Sequence, residues 1–158
     1  MEVLSQEDLG EVLTLQRAAF ALEVVDKYPG YTDPLRQTLE DLVAEQSEPG
    51  AQALGIRDGG RLIGAIRILP LGKGCFLLAR LSVAPDRTHE GLGRRLMEAA
   101  IAHVKTHRPE ATRIQFRADG SNSWLITWYK SLGFKVIKPG SDESEYDWTL
   151  ALDIAQDS

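Results

Sequence analysis

The sequence predicts an α/β domain with about seven strands in one mixed sheet and about four helices, and three features carry that prediction. Short apolar or alternating runs are punctuated by Gly, Pro and Asp clusters. Between them lie longer segments whose apolar residues recur near a helical period. Most informative is the run from Cys75 to Val83, which stops at Pro85-Asp86, crosses a polar loop, and re-emerges through Gly91-Leu92-Gly93 into a helix-forming segment. That order is strand, loop, helix N-terminus. At 158 residues one core suffices, burying about two-thirds of the unfolded surface. No internal repeat, linker or low-complexity stretch interrupts it.

Residues 1–4 read as a first strand. Ser5 with Asp8 three residues on is an N-cap signature, and the helix that follows carries Leu9, Val12, Leu13, Leu15 and Phe20 near a helical period. It breaks around Tyr28-Pro29-Gly30-Tyr31. Asp33-Pro34 opens a second helix, Asp as cap and Pro in the first turn. Leu35, Leu39, Leu42 and Val43 are its expected buried stripe, and residues 47–50 its end. Strand two covers about 51–57 and turns at Asp58-Gly59-Gly60. Strand three, about 61–69, is apolar on both faces and belongs in the sheet interior. Gly72 to Gly74 turns the chain into strand four. A helix over about 91–106 is apolar at Leu92, Leu96, Ala99, Ala100 and Val104, strand five takes 112–118, and a fourth helix 121–131. Strand six spans 133–138, followed by a polar loop over 139–144. Strand seven sets Tyr146, Trp148, Leu150 and Leu152 on one face against Glu145, Asp147 and Thr149 on the other.

Bulk properties narrow the function. Apolar residues at 43% and charged residues at 26% describe an ordinary soluble globule. A net charge of −5 disfavours a general nucleic-acid binder, which would carry a basic face. Cys75 is the one cysteine, so no internal disulfide forms, and its apolar surroundings favour an inert thiol. No apolar run approaches the ~20 residues of a membrane span, and no leader precedes the first strand, so a cytoplasmic location without membrane partners is expected. No His, Cys and carboxylate cluster has metal-ligand spacing, and no metal is expected.

The strand-loop-helix turn suits an anion. The first amides of a helix lack intrahelical partners and face outward at its positive end, and glycine lets a ligand approach the backbone. The spacing is neither the dinucleotide fingerprint, since Leu96 stands where a third glycine is required, nor a Walker loop. Alone, Gly91 and Gly93 are equally ordinary turn glycines. Further on, Asn122, Tyr129 seven residues later, and Gly133-Phe134 read as a short helix returning to a strand.

Together, Thr88-His89-Glu90-Gly91-Leu92-Gly93 and the Asn122–Phe134 segment resemble the two signature elements of the GNAT superfamily of acetyl-CoA-dependent N-acetyltransferases, Q/R-x-x-G-x-G/A and N-x-x-A-x-x-x-Y-x-x-x-G-F. The resemblance covers the chain from about Cys75 onward. Thr88 stands where the family has Gln or Arg, a contact that Arg87, Arg94 or Arg95 would then supply, and Leu125 replaces a small residue. The resemblance implies a mostly antiparallel sheet splayed between strands four and five, with acetyl-CoA in the wedge. Leu81, Ser82 and Val83 would pair with the pantetheine, and Thr88, His89, Glu90, Gly91, Leu92, Gly93 and Arg94 would hold the pyrophosphate. Asn122 is equally a cofactor ligand or a helix cap, and Leu81 and Val83 also read as core.

Tyr129 is the implied proton donor to the departing thiolate. A phenol with a pKa of about 10 is fully protonated at neutral pH; the competing reading is a packing tyrosine. Family members often carry a Glu on strand four, but the run from Cys75 to Ser82 holds no carboxylate. Either a carboxylate elsewhere works through water, with Glu23 and Asp26 as candidates and solvated surface acids as their simpler explanation, or the amine arrives already neutral. His89, His103 and His107 suit loop or surface roles.

The expected reaction transfers acetyl directly to a small primary amine such as an amino acid, a polyamine or an aminoglycoside-like compound. The competing readings are an acyl-CoA-binding domain without turnover, a protein N-terminal or lysine acetyltransferase, and an interaction module whose G-x-G is only a turn. A homodimer is left open. The resemblance implies that the acceptor enters between a loop carrying Glu23, Asp26, Tyr28, Tyr31 and Asp33 and one carrying Asp142, Glu143 and Glu145. The acids would attract a cation and Tyr28 and Tyr31 would wall in its apolar part, the competing reading being two merely solvated loops. If Arg80 points into the pocket, a carboxylate-bearing acceptor becomes attractive instead.

Overall fold

The computed structural model describes residues 1–26, 33–118, 123–138 and 148–154, without the side chains of residues 22–26. Along the chain run β1 (Glu2–Leu4), α1 (Leu9–Asp26), α2 (Asp33–Arg36), α3 (Leu39–Gln46), β2 (Gln52–Asp58), β3 (Arg61–Gly72) and β4 (Cys75–Val83). They are followed by α4 (Leu92–His107), β5 (Arg113–Ala118), α5 (Ser123–Ser131), β6 (Lys135–Lys138) and β7 (Trp148–Asp153). The seven strands form one sheet in the order β1-β2-β3-β4-β5-β7-β6. Its neighbours are antiparallel except β4 and β5, which run parallel. A parallel pair needs a crossover connection, and α4 supplies it.

Local chemistry sets these elements. Ser5 donates its N–H to the Asp8 carboxylate at 2.8 Å, which anchors the approach to α1. Gly59 and Gly60 both have positive φ, as the tight β2–β3 turn requires. Leu62 to Ile68 of β3 are buried without a break, because helices cover both faces of the sheet. Strand alternation decides which side chain meets which helix. A Cβ on Gly64 would lie 2.9 Å from Leu96 of α4, so Gly64, Ile66 and Ile68 face α4. Arg67 faces the other way, toward α1.

One helix expected from the sequence is two in the structure. Thr38 Oγ1 accepts from the Asp41 N–H at 3.2 Å, and the Thr38 N–H donates to the Asp41 carboxylate at 2.9 Å. This reciprocal cap starts α3 afresh and ends α2 at Arg36, giving five helices among the described residues. The restart turns Leu39 outward, correcting its place in the expected buried stripe, while Leu42 is fully buried. It also aims Gln37 inward, with consequences described below. No described helix is long and apolar enough to cross a membrane.

Candidate active site

β4 and β5 pair only from Cys75–Arg113 to Leu78–Phe116. β4 continues to Val83 with no β5 residue opposite it, so the two strands diverge from that point. On its other side β4 is bulged: Ala65 pairs with Ser82 and Arg67 with Ala79, leaving Arg80 and Leu81 opposite Ile66 alone. Arg80 absorbs the extra residue with a left-handed φ of 53°. A backbone like this exists only where surrounding contacts hold it, and here it turns the peptides of Arg80 and Leu81 out of the regular ladder. Ser82 is buried, and its hydroxyl donates to the Arg80 carbonyl at 3.0 Å.

The diverging strand is followed by a 3-10 turn at Pro85–Arg87 and a short loop that ends at the N-terminus of α4. Gly91 caps that helix with φ 77°, a conformation a side chain would strain, and it supplies no capping side chain to the first amides. There is no acidic residue in the first turn of α4. His89 is also left-handed, and Thr88, His89, Glu90 and Gly91 are all exposed. Leu92 is buried and anchors the turn; a Cβ on Gly93 would meet only Leu81, at 3.7 Å.

The loop's charges are largely committed. Arg87 binds Glu90 through Nε at 2.7 Å and through Nη2 at 2.9 Å, and it binds Asp58 through Nη1 at 2.7 Å. Those hydrogen bonds hold the Glu90 carboxyl below its ordinary range and raise Arg87. Arg87 is therefore spoken for, which removes it as the substitute for the family's Gln or Arg, and the charge of Glu90 is offset where an anion would sit. Asp86 is likewise held by Arg61, at 2.6 Å and 2.7 Å, with its carboxyl pulled down to about 2. Arg94 and Arg95 are the cations left at the turn.

Tyr129 stands where the strands part. Its ring lies 4.3 Å from that of Phe116, the last β5 residue paired with β4, and 4.9 Å from Trp128. It is 5% exposed, and burial pushes the phenol up to about 12, so it holds its proton throughout the physiological range.

A second cluster lies on the α1 side of the sheet, and sequence reasoning missed most of it. Arg67, 1% exposed, donates to Glu45 at 2.6 Å and to Gln16 and Gln37 at 3.0 Å each. Gln37 Oε1 also accepts from Gln16 at 2.9 Å and from Arg80 Nε at 3.2 Å, while Gln37 Nε2 donates to Glu45 at 2.6 Å. Arg80 makes a further interaction besides this one. Burial lowers Arg67 to about 10, with the nearby Arg80 charge acting in the same direction and Glu45 opposing. It remains charged at neutral pH. Its Nε is buried without a hydrogen-bond partner. The available signal was one arginine inside an apolar run, since a buried charge needs partners.

The remaining expected acceptor residues are not gathered here. Glu23 and Asp26 fall in the last turns of α1, where side chains are not described; Asp33 opens α2 and is exposed. Tyr28, Tyr31, Asn122, Asp142, Glu143 and Glu145 lie outside the described residues. His103 and His107 stack at 4.5 Å in the last turns of α4, the end away from Gly91. Cys75 is partly buried, and burial raises its thiol pKa. Among the described residues, no three His, Cys, Asp or Glu side chains are grouped to hold a metal.

The model of the acetyltransferase (GNAT) family matches residues 16–134. The chain belongs to the GNAT family of acetyltransferases. Solved structures share the fold. PaiA N-acetyltransferase from Thermoplasma acidophilum, in complex with coenzyme A, is 22% identical over 98% of this chain and 100% of its own, with a TM-score of 0.72. Ribosomal-protein-S18-alanine N-acetyltransferase from Escherichia coli is 20% identical over 99% and 94%, at 0.72. Aminoglycoside 6'-acetyltransferase type Ii is 18% identical over 99% and 98%, at 0.69. No curated protein matches the sequence. For a GNAT acetyltransferase, the opening between β4 and β5 and the bare N-terminus of α4 form one continuous backbone surface.

Proposed function

We propose that this acetyltransferase moves an acetyl group from acetyl-CoA to the primary amine of a small molecule that also carries a carboxylate. The observation that carries the cofactor half is that β4 runs past its last β5 partner to Val83, and the loop that follows, through a 3-10 turn at Pro85–Arg87, ends at the N-terminus of α4. Peptide groups from Ala79 to Val83 lack a β5 ladder, so an extended amide chain fits beside them as an added strand. The first amides of α4 suit a pyrophosphate at the positive end of the helix.

Acetyl-CoA supplies an activated thioester and a thiolate leaving group. The amine nitrogen forms a bond to the acetyl carbon as the carbon–sulfur bond breaks, and the sulfur takes a proton from the Tyr129 phenol. Tyr129, protonated up to about 12, is suited to that donation. The amine sheds a proton of its own to solvent or through water to a carboxylate, with Glu23 and Asp26 as the candidates on α1, and a proton from solvent restores the Tyr129 phenol. The bulged peptides at Arg80 and Leu81 lie two and three residues past the last β4–β5 pair, Leu78–Phe116.

Arg80 carries the acceptor half. It sits on the bulge facing the α1 side, and Arg67 holds it through Gln37. Arg67 and Arg80 both donate to the Gln37 amide oxygen, and Arg80 makes a further interaction besides, so the carboxylate-bearing acceptor is a reading that substitution of Arg80 tests against the purely cationic one. A reading without turnover is favoured by one fact only, that β4 holds no carboxylate as general base. Release of free thiol from acetyl-CoA across amino acids, polyamines and aminoglycosides decides among these. Turnover with amino-acid-like amines is expected; thiol release with polyamines alone would remove the carboxylate, and release with none would leave the binding reading.

A further inference from the structure

Trp124 is 65% exposed in the first turn of α5, an unusual position for the largest apolar side chain. It is not isolated. The Arg94 guanidinium lies 5.5 Å from the Trp124 ring centroid and 4.9 Å from that of Trp128. Trp128 is itself packed on Tyr129. Arg94 is the third residue of α4, so this aromatic stack stands against the same helix end that meets the pyrophosphate in the reading above.

We propose that Trp124 is the platform on which the adenine of acetyl-CoA stacks. The inference rests on the acetyl-CoA reading and extends it to a residue type that no motif requires. A cofactor whose pyrophosphate lies on the first amides of α4 has pantetheine on one side and adenosine on the other. β4 takes the pantetheine direction. On the other side the adenine needs a flat apolar partner, and the exposed ring of Trp124, in contact with the side chain of the third residue of α4, is the one assigned to it. Arg94 holds the ring on one face and stays charged beside the phosphates, and the described residues give it no carboxylate partner. The glycine-rich turn binds backbone to phosphate and tolerates many side chains nearby, so the base-binding contact has to come from a neighbouring element, here α5.

Binding of acetyl-CoA, acetyl-dephospho-CoA and acetyl-pantetheine by calorimetry, in the native protein and in Trp124→Ala, tests this. Stacking of one base on an aromatic ring corresponds to roughly a five- to hundredfold change in affinity. Trp124→Ala should weaken acetyl-CoA and acetyl-dephospho-CoA by that factor and leave acetyl-pantetheine unchanged. Trp124→Phe, which keeps a ring, should restore most of the loss, and acetyl-CoA should quench tryptophan emission in the native protein more than in that variant. Unchanged acetyl-CoA affinity in Trp124→Ala overturns the platform. An equal loss for acetyl-pantetheine also overturns it, assigning Trp124 to holding α5 against α4. If the native protein binds none of the three, or binds acetyl-CoA no tighter than acetyl-pantetheine, which lacks both pyrophosphate and adenosine, the acetyl-CoA reading at the α4 end fails. Tighter binding of acetyl-CoA that Trp124→Ala leaves unchanged fails the adenine site alone.

Discussion

The two sides of the wedge are built from different materials. On the α4 side the functional surface is main chain: the end of β4, the left-handed Gly91 and the first amides of α4, with side chains such as Arg87 and Glu90 tied to each other. On the α1 side it is side chain: Gln16, Gln37, Glu45, Arg67 and Arg80 interlock through buried and part-buried hydrogen bonds. Backbone recognition suits a ligand that never changes. Interlocked side chains, drawn from α1, the α2–α3 corner, β3 and β4, suit an acceptor particular to one enzyme.

The comparison breaks most sharply at Tyr129, which the proposed mechanism assigns to the chemistry and to neither side's binding. Tyr129→Phe keeps the ring between Phe116 and Trp128 and removes only the proton donor. It should lower kcat by roughly 10²–10⁴ with little change in acetyl-CoA affinity. Near-normal turnover in that variant would assign proton transfer elsewhere.

Next in size is Arg80→Met, which keeps the stem and removes the charge. Loss of charged hydrogen bonds to a carboxylate should raise the acceptor KM about ten- to a hundredfold while the acetyl-CoA dissociation constant stays put. A change in acetyl-CoA affinity instead would mean that the two sides are not separable.

The smallest expected effect is a flat line. Burial raises the Tyr129 phenol, so its protonated form is lost only as pH rises through about 12. The pH profile of kcat should therefore show no descending limb from this group below about pH 10. A fall starting near pH 9 would place the donor in a less buried phenol or another group.

The same contrast explains what the sequence could reveal. Gly91, Gly93, Tyr129 and Gly133-Phe134 are close along the chain and fixed in spacing, because a helix end and a short helix leave little freedom; the family and the divergence of β4 from β5 were legible from them. The Arg67 network was not. Its members lie far apart in sequence, and their meeting depends on Thr38 and Asp41 restarting a helix that periodicity alone runs straight through. The same restart turned Leu39 outward against expectation. Arg87 was a candidate phosphate ligand by position, and only the fold brings Asp58 from the β2–β3 turn to occupy it. Trp124 belongs to no motif, and only its exposure and its place beside Arg94 single it out.

The account depends most on acetyl-CoA lying against the main chain of β4 and α4, and one measurement addresses that directly: calorimetric titration of acetyl-CoA into the native protein and into Gly93→Val. A Cβ at Gly93 touches only Leu81 at ordinary contact distance, so the variant should fold, while the branched side chain stands where the phosphates approach the first turn of α4. One site per chain in the native protein, weakened at least about tenfold in the folded variant, is the predicted result. Equal affinity in the two proteins, or no binding to the native one, would contradict it.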